Sequence, residues 1–556
     1  MPGRVSGVTS GTVRSRHGLL HVMEGFLKDC RRQGISVLTG GFDDYLRDES
    51  RFTGFASGIV HARTEQDIIG LVRAANTWDV PLTVVSGKTS LTGASVPQCG
   101  VILDVKGLDQ PDPDDVRTVG PGIIVKRYRD LVDGEGLFYP PDPTSEESCT
   151  IGGNVACNAS GALSYLYGPT RDYIDGFKLL LPQGAVLEIQ RGDVVSHGER
   201  FVVPRDLFSP QPAHDLEAPV PRTGTPDWKT CKNAAGLFSS NPMDLVDLFI
   251  GSKGILGVFL RIKTILLPRR RPFFALMLSL PTRELTVAVV TLLDGLKRLF
   301  HDKERPRESE VRAEFERLAI WEGSAQPDRY KLIAPSCMEW FGASVAPFVS
   351  QSERRLLDQS YGTLYVEQEY SEQEGLIEAA SQWDRLVETI NRSIPEQGRK
   401  IRVEAALDAK QIRRMRDDRK AVPERVNESI EPGMVKVALD FAVPMPRLGE
   451  MMKLYEDSLR DRQTFTYGHI GNAHLHVNLM PRSPEELEQS RHLYLDLARK
   501  ICAMGGSVSA EHGIGKLKPE VLEIMLGPHG IEEIRKVKRA LDPKWILNRG
   551  NMIGPG

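Results

Sequence analysis

The sequence lacks clustered cysteines, long apolar runs and an excess of charge of either sign. None of its cysteines forms a C-x-x-C pair; they stand at positions 30, 99, 149, 157, 231, 337 and 502. This spacing argues against an iron–sulfur centre, a zinc ribbon or a disulfide framework, and it predicts reduced, mostly packed thiols. The formal net charge is −3 over 556 residues. Because the chain has no excess of positive charge to attract a polyanion, we expect no nucleic-acid partner.

Membrane and export signals are also scarce. No run approaches the roughly 18 apolar residues that span a bilayer, so we predict no transmembrane segment. The first residues lack the apolar centre of a signal peptide, which makes a cytoplasmic location the expectation. The first 23 residues contain arginine but no acidic residue, and a transit peptide is therefore the open alternative.

The length and the 40% hydrophobic content predict two or three domains with buried cores. Strands, glycine loops and one-faced helices alternate up to about residue 268, as in a mixed α/β unit. The predicted division is an N-terminal segment (1–45), that unit (46–268), a cap region of charged helices opened by a strand-like FFALMLSL (269–465) and a C-terminal segment (466–556). Residues 192–230 are rich in proline and charge and predict an irregular surface excursion.

Local signals place several elements. Thr64 and Asp67 predict a capping box at the start of a helix. The apolar residues that follow at helical spacing are Ile68, Leu71, Val72 and Ala75. Buried strands are predicted at 82–85 and 101–104. A final helix with an apolar face should end at the Asp542-Pro543 pair.

Two glycine-rich segments are candidates for holding a ligand. The first, SGKTSLTG at 86–93, follows a predicted strand, and its small residues let backbone N–H groups approach an anion such as a pyrophosphate. It is not a Walker A loop, because the first glycine of that motif would fall on Leu82. A plain tight turn is the alternative for this loop taken alone.

The second segment, at 140–176, groups several glycines with two asparagines. Gly152, Gly153 and Gly161 lie beside Asn154 and Asn158, so backbone and amide donors are offered where bare main chain is accessible. Two such loops suggest one long ligand.

Six segments in order resemble those of a known family. They are SGKTSLTGASVP, PPDPTSEESCTIGGNVACNASG, GSKGILGV, YGHIGNAHLHVN, SAEHGIGKLK and LDPKWILNRGNM. Together they resemble the FAD-linked oxidase family that contains the FAD subunit of glycolate oxidase, D-lactate dehydrogenase and D-2-hydroxyglutarate dehydrogenase. The resemblance spans residues 59–554.

The resemblance implies an α+β protein: a two-subdomain FAD-binding domain of the vanillyl-alcohol-oxidase type, and an α+β cap domain with an antiparallel sheet. Some relatives in the wider fold attach the flavin covalently, but no residue here is assignable to that bond, so we expect non-covalent FAD. The residues that it assigns to the cofactor are Ser86, Gly87, Lys88, Thr89, Ser90, Gly93, Pro143, Thr150, Gly152, Gly153, Asn158, Gly161 and Asn548.

The chain departs from the family at several of these positions. The first loop has Val-Ser-Gly-Lys-Thr where the family usually has Arg-Gly-Gly-Gly-Thr, and Lys88 could pair with a phosphate. Lys253 stands where glutamate is common, and Ser160 replaces a usual glycine. These changes leave the exact cofactor contacts open.

A histidine and glutamate constellation follows near the end of the chain. His469 and His476 lie seven residues apart, and Glu511 follows in SAEHG. Two imidazoles and a carboxylate suit zinc, manganese or iron and leave positions open for substrate oxygens. The spacing alone favours a structural role, but in metal-dependent members of the family the matching residues are the ligands.

Two further histidines accompany this set. The resemblance implies that His512 is the catalytic base, because a free imidazole can accept a hydroxyl proton at neutral pH. His474 replaces the asparagine that is usual in the family. If the segment is extended, it shares a face with His476, where it would act as an extra base or ligand at the substrate site or simply fill a differently shaped pocket.

Arg419 and Lys420 match an Arg-Lys-Ala stretch that contacts substrate in parts of the family. A bidentate arginine suits a carboxylate. The alternative is one solvated helix face, formed with Arg413, Arg414 and Arg416.

The expected activity is therefore metal-assisted, FAD-dependent oxidation of a small 2-hydroxy acid to the 2-oxo acid. Without cysteine clusters the chain needs an external electron acceptor, which is a separate iron–sulfur or electron-transfer protein, a quinone or oxygen. The alternatives are an ether synthase resembling alkyl-dihydroxyacetone-phosphate synthase and a non-catalytic flavin subunit of a redox complex. A homodimer is one assembly open to the chain.

Overall fold

The computed structural model describes residues 16–302, 308–321, 326–358, 360–371, 375–395 and 398–555. Residues 1–15 lie outside this description, and with them much of the segment on which the transit-peptide alternative rests. Among the described residues no helix is both long enough and apolar enough to cross a bilayer.

The strands and helices of the described residues are as follows. The strands are β1 (Gly58–His61), β2 (Leu82–Val85), β3 (Val101–Asp104), β4 (Thr118–Val119), β5 (Leu137–Phe138), β6 (Ile174–Leu180), β7 (Val186–Gln190), β8 (Arg200–Val203), β9 (Phe208–Ser209), β10 (Leu216–Pro219), β11 (Val258–Thr264), β12 (Leu267–Pro268), β13 (Phe273–Leu280), β14 (Pro335–Gly342), β15 (Gly362–Glu369), β16 (Arg402–Ala406), β17 (Val437–Ala442), β18 (Thr464–Gly468) and β19 (His474–Leu479). The α-helices are α1 (Arg16–Arg32), α2 (Glu65–Trp78), α3 (Val125–Gly134), α4 (Ile151–Cys157), α5 (Ser164–Tyr167), α6 (Leu245–Phe249), α7 (Arg283–His301), α8 (Glu308–Arg317), α9 (Gln351–Leu357), α10 (Leu376–Ser393), α11 (Ala409–Glu428), α12 (Leu448–Leu459), α13 (Pro484–Ala503) and α14 (Pro519–Leu541).

The first unit contains two larger sheets and two small two-stranded ones, β8–β10 and β5–β12. A parallel sheet has the order β1–β3–β2, and an antiparallel sheet has the order β4–β11–β6–β7–β9. Helix α2 begins at the predicted capping box: Thr64 Oγ1 accepts from the Asp67 amide at 3.2 Å, and Asp67 accepts from the Thr64 amide at 2.9 Å. The strands predicted at 82–85 and 101–104 are confirmed as β2 and β3.

The predicted irregular excursion at 192–230 needs a correction. Strands β8 and β10 form an antiparallel pair inside it, and β9 joins the edge of the five-stranded sheet. Phe201 and Val203 are buried, because β8 alternates exposed and buried residues and turns its apolar face inward. Prolines and charges obscured this short period-two pattern.

A seven-stranded antiparallel sheet, ordered β16–β13–β15–β14–β18–β19–β17, occupies the second half of the chain. The FFALMLSL strand is confirmed as β13. Strands β18 and β19 continue this sheet across the predicted boundary between 269–465 and 466–556. The histidine motif therefore lies on the same sheet as the predicted cap strands.

The central strands of this sheet are covered on both faces. All residues of β14, and all but the last residue of β15, are buried. Two of the buried residues are carboxylates, Glu339 and Glu367. An ionised carboxylate in such a place requires charged or hydrogen-bonding partners, and the partners of both belong to the site described next.

Candidate active site

The two glycine segments lie against each other. The loop at 86–93 leaves the end of β2, and Thr150 Oγ1 donates to Ser86 Oγ at 3.0 Å. A Cβ placed on Gly87 would lie 2.7 Å from the Ser148 carbonyl oxygen. Only glycine allows this approach, so the two segments are in direct contact. We call the surface formed by 86–93 and 140–161 the glycine wall.

The side chains of the first loop are largely committed to its own shape. Ser90 Oγ accepts the amides of Thr92 and Ala94, each at 3.2 Å. Lys88, in a left-handed conformation with φ of 56°, donates through Nζ to the Asp44 carbonyl at 2.9 Å and lies 4.4 Å from the centre of the Tyr45 ring. The ammonium predicted to pair with a phosphate therefore binds the preceding segment.

The predicted glycines of the second segment serve close backbone packing. Thr150 caps α4 by accepting the Gly153 amide at 3.3 Å. A Cβ on Gly152 would lie 2.8 Å from the Pro121 carbonyl oxygen, and one on Gly161 would lie 2.2 Å from that of Asp142. Pro143 is buried in the same segment. Gly93 of the first loop adopts a positive φ of 71°.

The second segment nevertheless keeps unused polar atoms. Within the described residues, Asn154 Nδ2 and Ser160 Oγ are buried and have no hydrogen-bond partner. Buried polar atoms are nearly always satisfied, so an orphaned donor and hydroxyl beside a glycine wall fit a polar cofactor edge. Ser160, the departure from the usual glycine, adds a hydroxyl to this wall.

Two predicted cofactor residues pin the surrounding chain. Asn158 ends α4 with φ of 49° and accepts the Arg171 amide at 3.0 Å. Asn548 accepts the Val84 amide at 2.7 Å and donates to the Lys253 carbonyl at 2.9 Å. The tail is thereby tied to β2 and to the GSKG turn.

The histidine motif folds as a strand, a tight turn and a second strand. His469 follows β18, residues Ile470–Asn472 form one 3-10 turn, and Ala473 takes a positive φ of 47°. Strand β19 then starts at His474. Because side chains alternate along a strand, His474 and His476 lie on one face, with ring centres 4.4 Å apart. The predicted shared face is confirmed.

Glu511 completes a compact donor cluster. One ligand atom from each of His469, His474, His476 and Glu511 lies within 4.8 Å of every other. His469 Nε2 is 2.9 Å from Glu511 Oε2. Three imidazoles and a carboxylate at such separations are a suitable donor set for a divalent transition metal.

Glu339 and Lys232 flank this cluster from two sides. Glu339 on β14 lies 2.5 Å from His469 Nδ1, an outer carboxylate of the kind that orients metal-binding histidines. Lys232 is 2% exposed and donates to Glu511 Oε2 at 2.8 Å. Neither residue belongs to a recognisable motif.

Asp440 on β17 joins the strand histidines to the Glu511 loop. Its Oδ1 lies 2.9 Å from His474 Nε2. Its Oδ2 accepts Ser509 Oγ at 2.7 Å, the His512 amide at 2.8 Å and the Glu511 amide at 3.3 Å. Because these donors use its oxygens, Asp440 orients the cluster and is a poor ligand for a second ion.

The charge states differ among the histidines. Burial lowers the pKa of His474 to about 4. The Lys232 ammonium also lowers this pKa, while the Asp440 carboxylate works to raise it. Burial together with the neighbouring His474 and His512 holds the pKa of His476 well below its usual value. Both rings are therefore neutral near pH 7, which is the form that binds metals.

His469 and Glu511 behave as a charged pair. Burial is the largest single influence and works to lower the pKa of His469, but the Glu339 and Glu511 carboxylates together outweigh it and raise the pKa to about 9. Burial likewise opposes ionisation of Glu511, while Lys232 and His469 hold its pKa well below the ordinary range. An ion that binds between His469 and Glu511 takes the place of the Nε2 proton.

His512 stacks on the cluster. Its ring centre is 5.0 Å from that of His476, with the planes 14° apart, and its Nδ1 is 3.5 Å from Asp440 Oδ2. Burial lowers the pKa of His512 despite the opposing Asp440 carboxylate. The ring is therefore neutral and can accept a proton.

Helix α11 is not one solvated face. Arg413 and Arg414 are exposed, but Arg416 makes a bidentate pair with Glu367 at 2.7 Å for both bonds. Arg419 lies 3.3 Å from Glu339 Oε2, and its Nε is buried without a partner among the described residues. Lys420 instead reaches Glu146 of the first unit at 2.5 Å.

Sequence comparisons identify the same two parts. Residues 56–190 match the FAD binding domain family, and residues 337–552 match the C-terminal domain of FAD linked oxidases. The chain belongs to the FAD-linked oxidase family. It is an FAD-linked oxidoreductase, and the cofactor expected from the glycine segments is supported by the first of these matches.

Curated relatives match nearly the whole chain at low identity. Glycolate oxidase subunit GlcD of Bacillus subtilis is 24% identical, covering 95% of this chain and 97% of that protein. D-lactate dehydrogenase of Anaerostipes hadrus and D-2-hydroxyglutarate dehydrogenase of Xanthomonas citri pv. viticola are each 25% identical, with 92% of both chains covered.

Solved structures share the fold. 4-ethylphenol oxidase from Gulosibacter chungangensis aligns with a TM-score of 0.64 at 15% identity, over 98% of this chain and 99% of that one. An alkyldihydroxyacetonephosphate synthase aligns with a TM-score of 0.57 at 13% identity, over 89% and 76%. The α+β, vanillyl-alcohol-oxidase-type fold with an antiparallel sheet domain is confirmed.

Proposed function

We propose that this enzyme oxidises a small 2-hydroxy carboxylic acid, of the D-lactate, glycolate or D-2-hydroxyglutarate type, to the 2-oxo acid. The observation that carries the proposal is the convergence of neutral His476, neutral His512 and ionised Glu511 at one partly buried point. The activities named for the curated relatives support the substrate class.

The glycine segments at 86–93 and 140–161 would hold FAD, with Asn154 and Ser160 supplying polar groups to its edge. Bound FAD would supply the acceptor for the hydride of the substrate carbon. The chain's own contribution is to orient that carbon and to accept the hydroxyl proton.

The proposed proton acceptor is His512. Its ring is neutral near pH 7, and Asp440 stabilises the charged ring that forms after proton transfer. The amide of His512 also donates to Asp440, so the backbone and the ring are both positioned by one carboxylate.

We assign His469, His476 and Glu511 as ligands of a divalent zinc, manganese or iron ion. Such an ion would supply Lewis acidity to the substrate hydroxyl and help to bind the carboxylate. Arg419 is the proposed second anchor of the carboxylate, because its buried Nε is free to donate. Lys420 is the weaker candidate, since Glu146 already pairs with its ammonium.

The proposal is tested by mixing the purified flavoprotein anaerobically with D- and L-2-hydroxy acids and recording loss of the visible flavin absorbance. One acid should reduce the flavin rapidly, and chelation should slow the reduction. Electrons then leave to an external acceptor, which a panel of quinones, an electron-transfer protein and oxygen would identify.

A flavin that no hydroxy acid reduces, in protein that retains both FAD and metal, would contradict the proposal. An ether synthase would then be the better hypothesis if a fatty acyl ester of dihydroxyacetone phosphate exchanges its acyl group for a long-chain alcohol, releasing the fatty acid, without net oxidation. If that substrate also fails, a non-catalytic flavin subunit remains.

A further inference from the structure

His474 occupies a position that the proposed ligand set does not use. It is fully buried, begins β19 and is followed two residues later by His476 on the same face. Its ring centre is 5.4 Å from that of His469. A residue that only filled space here would not need two ring nitrogens in a buried, polar position.

The two nitrogens of His474 have different surroundings. Nε2 lies 2.9 Å from Asp440 Oδ1, and because an ionised carboxylate can only accept, Nε2 carries the proton. Nδ1 is therefore an unprotonated acceptor. Among the described residues it is buried without a hydrogen-bond partner.

This lone pair is directed toward the other ligand atoms. His474 Nδ1 is 3.9 Å from Glu511 Oε2, and one ring nitrogen of His474 lies within 4.8 Å of a ligand atom from each of His469, His476 and Glu511. Ligand atoms about 2.0–2.2 Å from one ion are at most about 4.4 Å apart. Small side-chain adjustments would bring all four atoms around a single ion.

We propose that His474 is a third imidazole ligand, so that the ion is held by three histidines and one glutamate. The proposal rests on the metal site in the proposed function and changes its character. Asp440 is the outer carboxylate that fixes the His474 tautomer, as Glu339 does for His469. Three imidazoles favour zinc, cobalt or iron over magnesium and calcium.

Two other roles of His474 fit these observations less well. As a base it would have to reach the substrate, yet His474 is enclosed by His469, His476 and Asp440. As a ligand of a second ion with Asp440, it would lose its own bond to Asp440 Oδ1, and the ion would compete with three donors that already use Asp440 Oδ2. One ion with four protein ligands remains.

The third ligand also limits what the ion can bind. A zinc ion with four protein ligands has to expand to five-coordination to take one substrate oxygen, whereas three ligands leave a fourth position open. We therefore expect a tighter metal site in this chain than a two-histidine set would give, and fewer positions for the hydroxy acid.

The test uses the FAD-loaded protein after chelation, titrated with Zn²⁺ and with Co²⁺ alone. His474→Asn introduces the residue that is usual in the family and removes one imidazole. It should weaken Zn²⁺ binding by at least about tenfold and change the Co²⁺ absorption spectrum, with one ion still bound per chain. His492→Asn, at a side chain that is 74% exposed, is the matched control and should change neither.

Unchanged zinc affinity and an unchanged cobalt spectrum in His474→Asn would overturn the third ligand. If that variant does not retain FAD, X-ray absorption of the wild-type zinc protein decides, since three imidazoles support the proposal and two refute it. These results are independent of catalysis. Three imidazoles in protein that no hydroxy acid reduces would uphold the ligand and reject the proposed function.

Discussion

The glycine segments and the histidine–carboxylate cluster are the two polar regions of the site, and they use the chain differently. In the glycine segments the side chains mostly stabilise loops, caps and close backbone packing, which leaves main chain and a few buried, unpaired atoms such as Ser160 Oγ to interact with a ligand. In the cluster nearly every side chain points to one place, and backbone groups serve to orient Asp440. The region proposed for a large ligand thus presents mainly backbone and shape, whereas the region proposed for a small ion presents side-chain ligands.

This difference predicts that damage to the two regions is separable. Changes in the cluster should alter metal binding and catalysis while FAD stays bound. Changes in the glycine wall should release FAD while the metal site stays intact. The following variants test that separation.

The largest effect is expected for His512→Gln. Loss of the proton acceptor should slow flavin reduction by the hydroxy acid between about 10²- and 10⁴-fold, measured by anaerobic stopped-flow. FAD and metal content should match the wild type, since His512 is in neither proposed set of ligands. A variant reduced at the wild-type rate would remove His512 from the mechanism.

Lys232→Met tests the electrostatics of the cluster. Removing a buried partner of Glu511 should destabilise the metal-free protein by up to about 3 kcal/mol, and a bound ion should restore part of that free energy of unfolding. Denaturant unfolding with and without Zn²⁺ measures both values. Lys453→Met, which breaks an exposed pair with Asp457, is the control and should cost about 1 kcal/mol or less in either state. Equal losses with and without zinc would show that Lys232 does not act at the ion.

Gly87→Ala tests the glycine wall. The added methyl would lie 2.7 Å from the Ser148 carbonyl oxygen and separate the two segments, so FAD affinity should fall on the order of tenfold. The measurement is FAD retained after gel filtration, alongside zinc affinity, which should not change. Gly134→Ala, where the methyl meets nothing within 4 Å, should retain FAD fully. If Gly87→Ala also loses zinc, the two regions are not separable.

The smallest effect concerns a carboxylate outside both regions. Burial, with Asp418 and Glu404 nearby, raises the pKa of Glu353 from 4.5 to about 8, and Glu353 Oε1 has no partner among the described residues. A pKa raised by folding means that ionisation of Glu353 opposes the fold. The full stability of the protein at this position is present below pH 4.5, and it is lost as the pH rises to about 8. Glu353→Gln should therefore gain on the order of 1–2 kcal/mol at pH 8 and nothing near pH 4.5.

Thermal unfolding across that pH range measures the effect, with Glu488→Gln as an exposed control. A Glu353→Gln curve parallel to the wild type at every pH would contradict it. The result sharpens the contrast with Glu511, a partly buried carboxylate that Lys232 and His469 keep ionised.

The sequence predicted what depends on neighbours along the chain. The α2 capping box, strands β2, β3 and β13, and the shared face of His474 and His476 follow from local patterns of period 3.6 or 2. The strands within 192–230 are not predicted, because short strands with prolines leave little periodicity.

Residues brought in from distant strands could not be predicted in this way. Lys232, Glu339 and Asp440 reach the site through sheet order and loop packing, which spacing in one sequence does not encode. Charged residues inside otherwise apolar strands were the available signal for Glu339 and Asp440, and no such signal marked Lys232. The roles assigned to the site residues remain predictions.

The pairing of Asp440 with His476 across β17 and β19 has a consequence for protein quality. A slip of one residue in this pairing would turn His474 and His476 to the opposite face and place Leu475 and Val477 at the site. Such a chain would lack the strand ligands of the ion and would place two imidazoles where Leu475 and Val477 now pack in the core, so the core packing opposes the slip. Metal content, measured molecule by molecule with native mass spectrometry, would therefore reveal any chain in which this register was lost.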